Sequence, residues 1–278
     1  MSHFDDDTRL QPLAEGTDAT AGRRAFSGTV SPAWNIGANP NGGYLLALVT
    51  AALRHSVPQH PDPLSITVHY LRPGLPAQPL RIDTHVLRSG RTLSTVRATL
   101  QQEGGARLEV LAAMGHLGEP SAPVLALEPP AIPPPLECIA RSADEQGVAL
   151  PILDRLDIRL HPQQARAGSA GQARISGWIR LADGRAPDTG VCPLFIDAFP
   201  PAVFGLLGMV GWVPTVELTV HLRRRPAPGW MLGAFHTQDL SDGRVIEDGA
   251  LWDADGQLVA QARQLALVRM RETTTPSP

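Results

Sequence analysis

Two segments of this chain repeat one another at an offset of 152 positions (219 minus 67). Residues 67–80 read TVHYLRPGLPAQPL and residues 219–232 read TVHLRRRPAPGWML. Without gaps, Thr67, Val68, His69, Arg72, Pro76 and Leu80 match Thr219, Val220, His221, Arg224, Pro228 and Leu232. An echo follows each copy, Leu87-Arg-Ser-Gly-Arg91 and Leu240-Ser-Asp-Gly-Arg244. Solenoid repeats have periods of about 20 to 50 residues, so an offset this long means two copies of one domain-sized unit. Such a chain folds as two related halves with a seam between them, and its chemistry is expected at that seam.

A length of 278 residues with 43% apolar content suits one large domain or two ordinary ones with a substantial core. The net charge of −3, without a basic run, gives no field to gather nucleic acid or anionic lipid. The two cysteines, Cys138 and Cys192, are too few for a disulfide framework and lack metal spacing, which suits a reducing compartment. The start, MSHFDDDTRLQPLAEG, has no apolar stretch of signal-peptide type. No run of about 18 apolar residues occurs anywhere, so no membrane span is expected. Every basic residue is Arg and none is Lys, as in a GC-rich genome. The reading is a soluble, cytoplasmic, bacterial protein with no nucleic-acid or membrane partner.

Residues 1–22 are polar and are expected to be loosely ordered. A strand begins at Arg24, and the turn formers of Trp34-Asn-Ile-Gly-Ala-Asn-Pro-Asn-Gly-Gly43 lead into a Leu- and Ala-rich segment, residues 44–53. That segment is apolar on all sides, the pattern of a helix wrapped in protein. Strands follow within residues 64–72, 80–88, 92–101 and 108–117, several of them alternating. Leu64, Ile66, Val68 and Tyr70 share one face there, and Ser65, Thr67 and His69 the other. A Pro-rich stretch (GEPSAPVLALEPPAIPPPLE) then reads as an extended linker. The pattern restarts with strands at 156–160 and 174–181, a helix at 191–199, and strands near 213–223, 231–239, 245–253 and 258–270. The expected organisation is one unit at 23–118, a linker at 119–147 and a second unit at 148–271.

This order resembles the double-hotdog acyl-CoA thioesterases (type II, thioesterase-like superfamily). The local matches are Gly42-Gly43 opening the first helix, Tyr70-Leu-Arg-Pro-Gly74, Gly177-Trp-Ile-Arg-Leu-Ala-Asp-Gly-Arg185 and Phe195-Ile-Asp-Ala-Phe199. The resemblance implies an α+β tandem hotdog, two curved antiparallel sheets each wrapped around a central helix. It implies hydrolysis of acyl-CoA to free acid and CoA, with no metal or cofactor, in a homo-oligomer. The family's catalytic Asp, Ser or Thr, and Gln fall on Asp197, Thr215 and Gln264. The His that the family often places three residues before the Tyr or Phe of its Leu-Arg-Pro-Gly segment is Thr67 here.

The residues speak separately. Shifted by 152 positions, Asp197 falls opposite Leu45, Thr215 opposite Pro63 and Gln264 opposite Ala112, so the second copy is polar where the first is not. Asp197 lies among apolar neighbours, where a carboxylate needs a partner or a pocket. The alternative is an Asp at a helix start marked by Pro193. Gln264 is a lone amide on a face of Ala260, Ala262, Ala266 and Val268, either in a site or bonding a helix end. Alternation turns Thr215 away from the face of Leu218 and Val220 unless a bulge intervenes. The N–H groups of the Asn41-Gly42-Gly43 turn are the candidate receivers of the substrate carbonyl oxygen. His69 and His221 recur at equivalent places, which favours a structural role. Arg88, Arg91, Arg223, Arg224 and Arg225 are candidates for phosphate contact. No Cys/His/Asp cluster has metal spacing, and no phosphate-loop or dinucleotide fingerprint occurs. The chain reads as an acyl-CoA thioesterase; a non-catalytic acyl- or aromatic-ligand binder and a hotdog enoyl-CoA hydratase are the rivals.

Overall fold

Each copy leaves one strand at the edge of its own set, and the two edge strands are hydrogen-bonded to each other. In the computed structural model, residues 2–118, 123–125, 127–144 and 147–268 are described. The first half holds α1 (His3–Asp7), β1 (Gln11–Asp18), β2 (Arg23–Thr29) and the two-residue strands β3 (Asn35–Ile36) and β4 (Asn39–Pro40). Helix α2 (Gly42–Ser56) follows, then β5 (Asp62–Tyr70), β6 (Pro79–Ser89), β7 (Ser94–Gln102) and β8 (Gly105–Gly115). The second half holds β9 (Ile139–Ala140), β10 (Leu156–Leu160), β11 (Arg174–Leu181), α3 (Cys192–Asp197) and α4 (Phe204–Leu207). Strands β12 (Thr215–Leu222), β13 (Met231–Ser241), β14 (Arg244–Trp252) and β15 (Leu258–Leu267) complete it.

The strand order β2-β6-β7-β8-β5 of the first half recurs as β11-β13-β14-β15-β12 in the second. The expectation of two separate wrapped sheets needs correcting. Antiparallel pairing of β5 with β12 joins them into one 13-stranded sheet, with β1 and β9 at its ends. The physical reason is that β5 and β12 would otherwise each present a row of unpaired backbone groups.

Helix α2 forms as its sequence dictates. Asn41 caps it, its Oδ1 accepting the Tyr44 N–H at 2.9 Å, and Arg54 and His55 sit in its last turn, where positive charge is favourable. The helix packs on β2 and β5–β8, and Leu45, Leu46, Leu48 and Leu53 are buried on all sides. Each such side chain contributes about 1.5–3 kcal/mol on leaving water.

Residues 2–22 are ordered rather than loose. Phe4 packs edge-on against Trp34, whose indole N–H donates to Asp7 Oδ2 at 2.9 Å. Trp34 stacks on Tyr44, and the Tyr44 hydroxyl donates to the Asp7 carbonyl. One aromatic and one carboxylate therefore fasten α1 to the core, and β1 extends the sheet beside β2. The described part of the Pro-rich segment is fastened too. The Leu127 and Pro133 carbonyls accept the indole N–H groups of Trp252 and Trp178, each at 2.8 Å, and β9 pairs with β10. The expected reach of the last strand to Met270 lies outside the described residues.

Candidate active site

The two copies differ most at their helices. Helix α2 has 15 residues and α3 only 6. Pro200 and Pro201 lie just beyond α3, and proline removes a helical N–H and clashes with the preceding turn, so the helix cannot continue. Strand register shows what this uncovers. Ile66, Ala112 and Val96 stand side by side on β5, β8 and β7, and Leu218, Gln264 and Glu247 take the same places on β12, β15 and β14. Val96 and Ala112 are sealed in the core. Their counterparts Glu247 and Gln264 instead line a cavity of about 730 Å³. Residues 199–214 cover it from one side, and Gly42, Leu45 and Tyr70–Gly74 of the first half from the other.

Asp197 is the last residue of α3 and faces the first turn of α2. Its Oδ2 accepts the Gly43 N–H and the Asn41 amide, both at 2.8 Å. The Asn41 amide also reaches the Asp197 carbonyl at 2.9 Å, and Asn41 is itself oriented by the Tyr44 N–H. Burial pushes this carboxyl up to about 6, against the pull of Gly43, Asn41, Gly42 and the nearby Arg141 guanidinium. Gly43 is required for the approach. A Cβ there would lie 2.4 Å from the Pro193 carbonyl oxygen and 2.8 Å from Leu194 Cα and Asp197 Cβ.

The turn at Gly42-Gly43 thus faces Asp197, but its expected task changes. The Gly43 N–H is engaged by the carboxylate and is not free for a substrate oxygen. Gly42 is packed against the Tyr70 ring, whose buried hydroxyl has no hydrogen-bond partner among the described residues.

Thr215 turns inward because β12 carries a bulge. Thr215 pairs with Ala266 and Glu217 with Leu265, leaving Val216 as the extra residue. This puts Thr215 on the face of Leu218 and Gln264, where plain alternation does not. Its hydroxyl donates to Gln264 Oε1 at 2.9 Å, and Gln264 Nε2 donates to Glu247 Oε1 at 2.8 Å. Glu247 Oε2 accepts the Ala202 N–H at 2.6 Å. Burial raises the Glu247 carboxyl to about 7, with Ala202 and Gln264 opposing and the negative charges of Asp197 and Asp248 adding to it.

Asp197, Thr215 and Gln264 therefore line one cavity with Gly42. Among the charged residues that line it, sequence reasoning missed Glu247 and Arg141, along with Arg72 and Asp144. Glu247 had a signal, since Val245, Glu247 and Leu251 alternate toward the covered face of β14. Arg141 had none: it arrives from the Pro-rich segment, buried, and donates to the Ala198 carbonyl. His69 and His221 are exposed and away from the cavity, as are Arg88, Arg91 and Arg223. Arg224 bonds Gln257, and Arg225 pairs with Asp62 across the seam at 2.6 Å. Among the described residues no group of three or more His, Cys, Asp or Glu could hold a metal ion. No described helix is long and apolar enough to cross a membrane.

Both halves match known domain families. Residues 30–118 match the acyl-CoA thioesterase N-terminal domain, and residues 133–268 the acyl-CoA thioesterase C-terminal domain. The chain belongs to the acyl-CoA thioesterase family. Its structure is similar to that of a candidate thioesterase II from Thermobifida fusca YX, at 34% identity and a TM-score of 0.83, covering 97% of this chain and 98% of that one. A hot dog protein of unknown function from Alicyclobacillus acidocaldarius is similar at 25% identity and a TM-score of 0.82, covering 98% and 99%. An uncharacterized protein of Mycobacterium tuberculosis is 29% identical over 284 residues, covering 93% of this chain and 96% of its own length. The hot dog likeness agrees with the α+β architecture, and the family supports thioester chemistry on an acyl-CoA ligand.

Proposed function

We propose that the protein hydrolyses acyl-CoA thioesters to a carboxylic acid and CoA, with Asp197 as general base. The observation that carries this is the Asp197 carboxylate: fixed at Oδ2 by Asn41 and Gly43, and raised toward neutrality. A base held in this way can take a proton near pH 7 without being consumed by a permanent ion pair. A water between Asp197 Oδ1 and Thr215 Oγ1 gives one proton to Asp197 while its oxygen attacks the thioester carbonyl carbon. The tetrahedral intermediate collapses as the carbon–sulfur bond breaks, and the sulfur leaves as thiol with the proton held by Asp197. Thr215 and Gln264 contribute position, not covalent bonding.

The cavity suits an apolar acyl group. Ile196, Phe199, Phe204, Met209 and Trp212 line it, and the Trp212 and Met209 side chains are partly exposed at its mouth. Steady-state hydrolysis across acyl-CoA chain lengths, followed by trapping the released thiol, tests the reading. Ligand binding with no thiol release at any chain length refutes it and leaves a binding protein. Hydration of an enoyl-CoA without thiol release points to a hydratase, for which no histidine lines this cavity.

A further inference from the structure

Glu247 is a buried carboxylate that the reaction above does not use. The fold does not call for it, because the equivalent place in the first copy is filled by Val96. Isolating a carboxylate from water costs several kcal/mol unless donors replace the water. Two donors do so here, one on each oxygen: the Ala202 N–H on Oε2 and the Gln264 amide on Oε1. The Gln264 bond has a directional consequence. With Nε2 turned to Glu247, Oε1 must face Thr215, and the Thr215 hydroxyl donates to it. The Thr215 proton is then committed, and its oxygen lone pairs are left to accept from a water in the cavity.

We infer that Glu247 is a positioning residue which, through Gln264, turns Thr215 into the second acceptor for the attacking water. This rests on the thioesterase reading for its catalytic consequence, but the Glu247–Gln264–Thr215 order stands or falls separately. With one acceptor at Asp197 and a second at Thr215, both water protons are directed away from the substrate and a lone pair faces the carbonyl carbon. Protonated Glu247 loses an acceptor, and the Gln264 amide can then turn over. Its Nε2 would face Thr215, whose hydroxyl would have to accept instead of donate. The ionised groups bearing on Glu247 are Asp197 across the cavity and Asp248 on its own strand, both anionic. Arg141 acts on Asp197 with opposite sign. The Asp197 charge thus bears on Glu247, and the active form requires both of these carboxylates to be ionised.

The test pairs kinetics with a readout that needs no turnover. In wild-type protein the acid limb of log kcat/KM should steepen toward a slope of 2, and in Glu247→Gln toward 1. The variant should lose about 10- to 100-fold in kcat, the size typical when a partner that orients a functional ligand is removed, with KM little changed. The side-chain amide of Gln264, assigned by its loss in Gln264→Leu, should titrate in wild-type nuclear magnetic resonance spectra and stay fixed in Glu247→Gln. An unchanged acid slope and kcat in the variant overturn the inference. So does a Gln264 amide that ignores pH in wild-type protein, which settles the matter even if Glu247→Gln fails to fold. If wild-type protein hydrolyses no acyl-CoA, the thioesterase reading falls, while the amide titration still decides whether Glu247 holds Gln264.

Discussion

The hydroxyls of Thr67 and Thr219, residues separated by 152 positions, stand 3.0 Å apart where β5 lies against β12. The two residues are direct partners in the ladder, and the pairs around them are symmetric: His69 faces Glu217, and Ser65 faces His221. The repeat in the sequence is thus paired with itself in space, and the local two-fold relation of the halves passes through this threonine pair. Thr219 also donates to Glu217 at 2.6 Å, on the face of the sheet turned away from the cavity. His69 and His221 belong to this outer surface, which accounts for their recurrence without a catalytic role.

If the seam pairs a strand with its own copy, one copy can supply both sides. Residues 2–118 expressed alone expose the β5 edge, and an unpaired edge recruits another strand. Because antiparallel pairing about Thr67 is self-complementary, the expected product is a closed dimer and not an open fibre. Sedimentation velocity should show a dimer; a folded monomer with a bare β5 edge would contradict the self-pairing.

The crossing of α2 and α3 depends on Gly43, since any Cβ there meets the backbone of Pro193 and Leu194 as well as Asp197 Cβ. Backbone cannot swing aside as a flexible side chain can. Gly43→Ala should therefore cost about 1–3 kcal/mol, the usual range for overpacking. The same shift moves the Gly43 N–H away from Asp197 Oδ2, so kcat should fall together with the melting temperature. Unaltered kcat in Gly43→Ala would separate the helix crossing from the chemistry.

What the sequence made legible follows from local pattern, and what it hid follows from non-local geometry. The strands and α2 were readable because alternation and all-round apolarity report burial one element at a time. Offsetting the copies also put Gln264 against Ala112 and Asp197 against Leu45, and the register agrees for Gln264. The inward turn of Thr215 was hidden by a single extra residue, Val216, since one bulge reverses the face of a strand end. The union of the two sheets was hidden because edge pairing uses backbone groups that every sequence has. Arg141 was hidden because a Pro-rich segment carries no periodicity to say which residue points inward. Residues 2–22 read as loose because their fastening is non-local: Phe4 and Asp7 on Trp34, Asp5 on Arg185, and the backbone pairing of β1 with β2.

Asp197→Asn separates catalysis from architecture. The Asn41 amide and the Gly43 N–H both bond Oδ2, and an asparagine can keep its carbonyl oxygen there while its amide replaces Oδ1. The helix contact should survive and the base should not. Turnover should fall by about two to four orders of magnitude, the range expected for loss of a general base. The circular dichroism spectrum should be unchanged. Turnover within a few-fold of wild type in this variant would remove Asp197 from the reaction.

The same carboxylate sets a pH dependence of stability. Asp197 rises from 3.8 to about 6 and Glu247 from 4.5 to about 7 on folding, in each case chiefly through burial. The folded protein therefore binds these two protons more tightly than the unfolded chain. Their contribution is fully present below the unfolded values and is lost as pH rises through 6 and 7. Asp183 and Asp188 are shifted downward, and lose their contribution only in the acid range, below about pH 4. Between about pH 5 and 8 the first pair should dominate, so the wild-type melting temperature should decline across that window. Asp197→Asn removes one of the two buried charges and should flatten the decline, leaving the variant more stable than wild type at pH 8. Calorimetric melts of both proteins at pH 5, 6, 7 and 8 check this, and a wild-type melting temperature that climbs from pH 5 to 8 would be incompatible with buried, upward-shifted carboxylates at this site.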